Sequence, residues 1–325
     1  MKKDEALIFD YLLQYIAPEI SNILFKVSKE KKRNIEEIRL RNSFPLMVYC
    51  EGGDYYVSKN GELTQNEKDI FIVNKKLLFK TFQLVSNYSV YAFEEEIRSG
   101  FITLKGGHRV GIAGKTIYGS NGVETIKDIS SLNIRVAREK IGVSDKIMKY
   151  LIKESDSIYH TLIVSPPQCG KTTLLRDIAR NISDGMPNMN FKGKKVGIVD
   201  ERSEIAGVYS GIPQKTIGKR TDILDGCLKK DGIIMLIRAM SPEIIVTDEL
   251  GGEEDIKAIY EALKAGVILI STVHGKDLKD IMTKNNLGEL IERKVFERII
   301  ILDNSKGVGT IRDILDGHTF TSVIY

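Results

Sequence analysis

The chain has 325 residues, of which 42% are hydrophobic and 28% charged, and its formal net charge is +4. That length suits about two domains, the composition allows a sizeable core, and so small a charge does not by itself argue for nucleic acid. No apolar stretch approaches the ~18 residues that span a bilayer, and the three cysteines, Cys50, Cys169 and Cys227, are too scattered for a disulfide framework or a metal site. The charged start, Met1 to Glu5, runs into an amphipathic pattern rather than a secretory apolar core, so a cytoplasmic protein is expected.

Residues 6 to 26 carry apolar positions at helical spacing: Leu7, Tyr11, Leu12, Ile16, Ile20 and Leu24. The basic run Lys29 to Arg33 reads as a solvated helix end. Ile35 to Arg41 and Pro45 to Tyr49 alternate like strands. Asp69 to Val85 predicts one or two helices. Phe101 to Gly114 alternates around Gly106-Gly107, and Asn121-Gly122 marks another turn. This front half, residues 1–140, is a mixed α/β domain without a nucleotide motif. Residues 141–158 form a linker, in which Gly142 to Glu154 predicts a helix. Residues 159–325 form the second domain.

The second domain opens with the most informative stretch of the chain. An apolar run, Leu162 to Val164, leads through a tight loop into Gly170-Lys171-Thr172-Thr173, and a helical pattern follows at Leu174, Leu175, Ile178 and Ala179. Strand, loop and helix in this order turn backbone N–H groups inward, with a helix N-terminus behind them, and so receive an anion. Ser165, Pro166, Pro167, Gln168, Cys169, Gly170, Lys171, Thr172 and Thr173 are the nucleotide-binding candidates. In such a loop Lys reaches the outer phosphates and the first Thr holds magnesium, so ATP and Mg2+ are the expected ligands. The usual pattern opens with Gly, favoured for its backbone freedom, and here that position is Ser165.

Further apolar runs follow at Val196–Val199, Ile244–Thr247, Val267–Thr272 and Ile299–Leu302. β-Branched runs separated by helical segments predict a parallel sheet buried on both faces. Ligands bind where parallel strands end, and these strands end in Asp200-Glu201-Arg202, Asp248-Glu249 and His274. Asp248 reads as a magnesium ligand, acting largely through water. Glu249 and Glu201 compete for the role of orienting or deprotonating the attacking water. A strand-end Asp-Glu pair also serves simply to cap the next helix. His274 is a γ-phosphate contact, a relay of that phosphate's loss to a neighbour, or a structural residue. The polar stretch from Arg202 to Asp222 is a substrate or partner loop, or a solvated connection. Arg109, Arg135 and Arg138 are candidate charge stabilisers in the front half, with surface ion pairs as the plainer reading.

Several strings are more specific than the phosphate loop. They are Ser165-Pro-Pro-Gln-Cys-Gly-Lys-Thr-Thr-Leu-Leu-Arg-Asp, Val199-Asp-Glu-Arg-Ser-Glu-Ile-Ala-Gly, Arg220-Thr-Asp-Ile-Leu-Asp-Gly-Cys, Arg238-Ala-Met-Ser-Pro-Glu and Thr272-Val-His-Gly. Glu37-Ile-Arg-Leu-Arg, Gly106-Gly-His-Arg-Val-Gly and Asp128-Ile-Ser-Ser-Leu-Asn-Ile-Arg-Val-Ala-Arg belong with them. Over nearly the whole chain the sequence resembles the stage III sporulation protein AA family of endospore-forming bacteria. That family is similar in turn to the traffic ATPases of type II and type IV secretion and pilus machines. The resemblance implies a RecA-like P-loop NTPase domain behind a smaller α/β domain, assembled as a homohexamer. It implies a Walker A at Gly170 to Thr173, an acidic box at Asp200 and Glu201, a Walker B at Asp248 and Glu249, and a histidine box at His274. Arg109 and Arg135 look like the family's nucleotide-contacting arginines. The implied role is to power a channel complex between mother cell and forespore, with membrane proteins of that complex as partners and the protein peripheral to the membrane. A nucleic-acid motor on the same core and a non-hydrolysing ATP-bound scaffold are the alternatives.

Overall fold

The structure, a computed structural model, describes residues 5–50, 52–120, 122–154 and 156–324. Met1 to Asp4 and Asn121, on which the expected N-terminal pattern and one expected turn partly rest, lie outside the described residues. The chain forms two units: Met1–Arg138 with Tyr209–Gln214, and Glu139–Val208 with Lys215–Tyr325.

In the first unit the helical pattern of residues 6 to 26 is broken in two. Helix α1 (Glu5–Leu12) ends in a 3₁₀ turn at Leu13–Tyr15, and α2 (Pro18–Phe25) starts afresh. Pro18 explains the restart, because proline suits a first helical turn and cannot continue an earlier one. The buried face of α1 is Ala6, Phe9 and Leu12, while Leu7 and Tyr11 face outward. Alternation becomes an antiparallel sheet of β1 (Ile35–Arg41), β2 (Met47–Cys50), β3 (Gly53–Val57), β4 (Leu63–Thr64), β5 (Phe101–Thr103), β6 (Arg109–Gly119) and β7 (Gly122–Arg135). Their order is β4-β3-β2-β1-β7-β6-β5. One core joins Phe9, Leu12, Ile20 and Leu24 to Ile38, Leu40, Val110 and Ile134. Of the stretch from Asp69 to Val85, Lys75–Val85 is helical, as α3, and Ile72–Val73 is a short strand. The basic run is a one-turn helix whose last lysine is not solvated. Lys32 is buried, with Nζ 2.6 Å from Asp10 Oδ1 and 2.8 Å from the Phe25 carbonyl.

The second unit holds β8 (Thr161–Ser165), β9 (Val196–Asp200), β10 (Thr221–Asp225), β11 (Ile244–Thr247), β12 (Ile268–His274), β13 (Arg298–Asp303) and β14 (Thr310–Asp316). The sheet order is β10-β9-β11-β12-β8-β13-β14. Every neighbouring pair is parallel except β13 with β14. Helices α4 (Lys171–Asp184), α5 (Lys229–Met240), α6 (Glu253–Lys264), α7 (Leu278–Met282) and α8 (Asn285–Glu292) complete it. The apolar runs are continuous because both faces are covered. Ile163, Ile198, Val246 and Ile270 pack in one core, and Leu162, Val164, Val199, Ile245 and Leu269 in another. Side-chain alternation along each strand divides them between the two.

The helix expected over Gly142 to Glu154 is a single turn, Met148–Leu151, followed by a small hairpin of Ile152–Glu154 with Ser157–Ile158. A tertiary anchor wins over local propensity here. Asp177 on α4 is buried, and its carboxylate accepts from Gly142 N (3.0 Å), Ser144 N (2.8 Å) and Ser144 Oγ (2.8 Å). It also accepts from Arg180 Nε at 2.8 Å. These donors hold its carboxyl below the usual carboxylate range, against the opposing effect of burial. Asp177→Ala should therefore lower stability by about 3 kcal/mol, because the two buried donors of Ser144, Gly142 N and Arg180 lose their acceptor. A chemical-denaturation curve matching the parent's would refute this account of the segment.

Candidate active site

The phosphate-loop candidate sits where β8 meets α4. Ser165 lies inside the strand, buried and in register with His274 of β12. It is not among the residues with positive φ, which appear later, at Gln168 (+61°) and Gly170 (+82°). The missing first glycine therefore costs no backbone strain. Gly170 does need its freedom: besides its φ, a Cβ there would lie 3.3 Å from Gly309 Cα, on the β13–β14 loop. Lys171 opens α4. Among the described residues no acceptor meets the backbone N–H groups of Gly170, Lys171, Thr172 and Thr173, as expected of a helix N-terminus left open to an anion.

A cavity of about 280 Å3 lies against this loop. Pro167, Gln168, Gly170, Lys171, Thr172 and Thr173 line it, with Glu204, Asp248, Glu249, Thr272 and His274 opposite. The sheet order explains the grouping, since β11 and β12 follow one another beside β8 and all three end on one edge. Of the predicted loop residues, Ser165, Pro166 and Cys169 stand behind the cavity wall. Cys169 is buried, and the Ser165 and Pro166 carbonyls accept from Lys171 Nζ at 3.3 and 3.2 Å.

The charged groups form a chain. Lys171 Nζ is 2.9 Å from His274 Nδ1, and His274 Nε2 is 2.6 Å from Glu249 Oε1. Glu249 Oε2 accepts from Arg202 Nη1 at 2.8 Å. Burial pulls the Lys171 ammonium pKa down, and Glu249 partly offsets this. Glu249 has φ +43°, the left-handed region that a glutamate rarely occupies, and its N–H is held by Thr272 Oγ1 at 2.8 Å.

Asp248 is 4% exposed, and no hydrogen-bond donor to its carboxylate is found among the described residues. Burial pushes its carboxyl up to about 7, with a smaller contribution from the nearby Asp200 charge. A buried carboxylate left without a donor, in a cavity that Thr172 also lines, fits an oxygen-seeking divalent cation. Among the described residues no three His, Cys, Asp or Glu side chains cluster to hold a metal. Magnesium needs no such cluster, because phosphates and water supply most of its ligands.

In the nucleotide-free protein, between pH about 4 and about 7 the folded state keeps the Asp248 proton that the unfolded chain has lost, so stability falls as pH rises through that window. Asp248→Asn removes the penalty. It should stabilise the protein at pH 8 by on the order of 2–4 kcal/mol and leave it nearly unchanged at pH 4. Thermal unfolding at both pH values without nucleotide checks this, and an asparagine variant no more stable at pH 8 contradicts it.

The two glutamate candidates part here. Glu201 is not among the cavity residues; it pairs with Lys229 of α5, which is buried. Asp200 is fully buried and holds a turn, accepting from the N–H groups of Glu204, Ile205 and Ala206. Glu204, by contrast, reaches the cavity, and no local pattern marks it, because it lies inside a polar stretch rather than at a strand end. Arg109 and Arg135 belong to the first unit, facing each other across β6 and β7. The Arg109 guanidinium stacks 3.5 Å from the Phe101 ring, and Arg135 Nε lies 3.2 Å from Glu37 Oε1. Arg138 donates to the Ile35 carbonyl at 2.7 Å. Among the described residues no helix is long and apolar enough to cross a membrane.

The chain is 43% identical over 302 residues to stage III sporulation protein AA of Bacillus subtilis (strain 168), covering 93% of each. Among solved structures it resembles the ATPase DotB of Yersinia pseudotuberculosis, with a TM-score of 0.56, 14% identity, and 88% of this chain and 76% of that one covered. It also resembles the pilus retraction motor PilT solved with bound ADP, with a TM-score of 0.54, 14% identity, and 84% and 76% covered. At such identities the two structures speak for the fold alone, a mixed α/β architecture shared with secretion ATPases. The family model described as Sporulation stage III, protein AA matches residues 9–321, and the chain belongs to that family.

Proposed function

We propose that this protein is a Mg2+-dependent ATPase whose second unit is a RecA-like P-loop domain, and that it works as a homohexamer powering or assembling a channel complex of sporulation. One observation carries the enzymatic part. Lys171 and Thr172, at the start of α4, line a single cavity with Asp248, Glu249 and His274, from the ends of the neighbouring strands β11 and β12.

In this reading the free N–H groups and Lys171 bind the β- and γ-phosphates of ATP. Thr172 and Asp248 hold magnesium, which when bound neutralises charge on the phosphate oxygens. Glu249, on the cavity wall, orients a water and takes its proton. His274 takes Lys171 Nζ on one ring nitrogen and Glu249 on the other, so a phosphate that draws Lys171 away is felt at Glu249. Arg109 and Arg135 are assigned to the nucleotide on family resemblance alone, as groups that act in the assembled ring.

The test is phosphate release from Mg-ATP by the purified protein, alone and with its membrane partners, together with its mass in solution with and without nucleotide. Nucleotide binding without turnover under either condition would favour the scaffold reading. Salt-sensitive binding of single-stranded DNA would favour the nucleic-acid motor.

A further inference from the structure

Arg202 follows the acidic pair at the end of β9, and nothing above gives it a task. Its guanidinium crosses to the neighbouring strand end, where Nη1 lies 2.8 Å from Glu249 Oε2. His274 holds the other oxygen, Oε1, at 2.6 Å. In sheet order β9, β11, β12 and β8 are neighbours. Arg202, Glu249 and His274 thus follow one another along three adjoining strand ends, with Lys171 of α4 beyond His274 and the carboxylate clamped between a guanidinium and an imidazole.

The clamp bears on a soft coordinate. The backbone of Glu249 is fixed in the left-handed region by Thr272, which sets where its side chain leaves the chain. The terminal torsion of a glutamate is broad, however, and does not fix the carboxylate plane. A second contact is needed to do that, and Arg202 supplies it. Fold stability does not account for the pair. Arg202 is 58% exposed and Glu249 31%, and ion pairs so open to solvent contribute little.

We propose that Arg202 is a positioning residue for Glu249, holding its carboxylate in the orientation that addresses the attacking water. The proposal rests on Glu249 being the water-activating base. Arg202 itself touches neither nucleotide nor water in this account. The contact is a single N–O pair rather than a two-pronged one, so a lysine ammonium can replace much of it.

The experiment is steady-state hydrolysis of Mg-ATP by full-length Arg202→Ala, Arg202→Lys, Glu249→Gln and the Arg202→Ala/Glu249→Gln double variant, with nucleotide affinity and thermal unfolding measured on each. Arg202→Ala should lower kcat by about tenfold while KM, nucleotide affinity and unfolding temperature stay near the parent's. Arg202→Lys should recover most of the loss. In the Glu249→Gln background, Arg202→Ala should cost nothing further, since there is no carboxylate left to position. The proposal is overturned by an unchanged kcat in Arg202→Ala, by a raised kcat, which would make the pair a restraint, or by an equal loss in both backgrounds. If Glu249→Gln itself turns over at the parental rate, the assignment of Glu249 fails and takes the proposal with it. If Glu249→Gln loses turnover while Arg202→Ala keeps the parental kcat, only the proposal fails.

Discussion

Lys171→Ala is expected to abolish ATP turnover, with a loss of at least about a thousandfold in kcat/KM and weakened nucleotide binding, because phosphoryl transfer depends chiefly on stabilising charge at the phosphates. The fold should survive. Burial depresses the Lys171 pKa, so the ammonium is held at a cost in the nucleotide-free protein, and its removal is neutral or stabilising at neutral pH. Its partners tolerate the change, since the Ser165 and Pro166 carbonyls accept from it only at 3.3 and 3.2 Å. The variant should also fail to support sporulation. Normal sporulation with a nucleotide-blind protein would refute the catalytic proposal, whereas an unfolded variant would refute only the argument about burial.

The second large effect separates the two glutamates. Glu249→Gln should lower kcat by about 10² to 10⁴ while leaving Mg-ATP binding intact, as expected on removing a general base. Glu201→Gln should act on stability instead. Lys229, buried on α5, would lose its counter-ion, at a cost of about 1–3 kcal/mol, while hydrolysis at permissive temperature stays near the parent's. Kinetics and unfolding curves on the two variants form a crossed test. Equal catalytic losses would put Glu201 back at the reaction centre.

Much of the second unit was legible in the chain. The runs at Leu162–Val164, Val196–Val199, Ile244–Thr247, Val267–Thr272 and Ile299–Leu302 all became strands, because a strand covered on both faces must be apolar throughout. The two strands of the seven-stranded sheet that carry no such run, β10 and β14, lie at its edges. An edge strand carries polar and half-exposed residues, and Thr221–Asp225 and Thr310–Asp316 show no uninterrupted apolar run. The helix expected over Gly142 to Glu154 is cut short for another reason: its first residues, Gly142 and Ser144, are held by Asp177, more than thirty positions away.

The sequence alone determined the phosphate-loop candidate and the acids and imidazole at the strand ends. These features are set by neighbours in the chain, through glycine and proline punctuation, apolar runs and their ends. Tertiary structure decided the rest. Strand order put β9, β11, β12 and β8 side by side, aligning Arg202, Glu249, His274 and Lys171. It also brought Lys229 from α5 to Glu201, taking one of two equivalent-looking carboxylates away from the cavity. A side chain's charged partner depends on which distant segments pack beside it, and no local pattern records that.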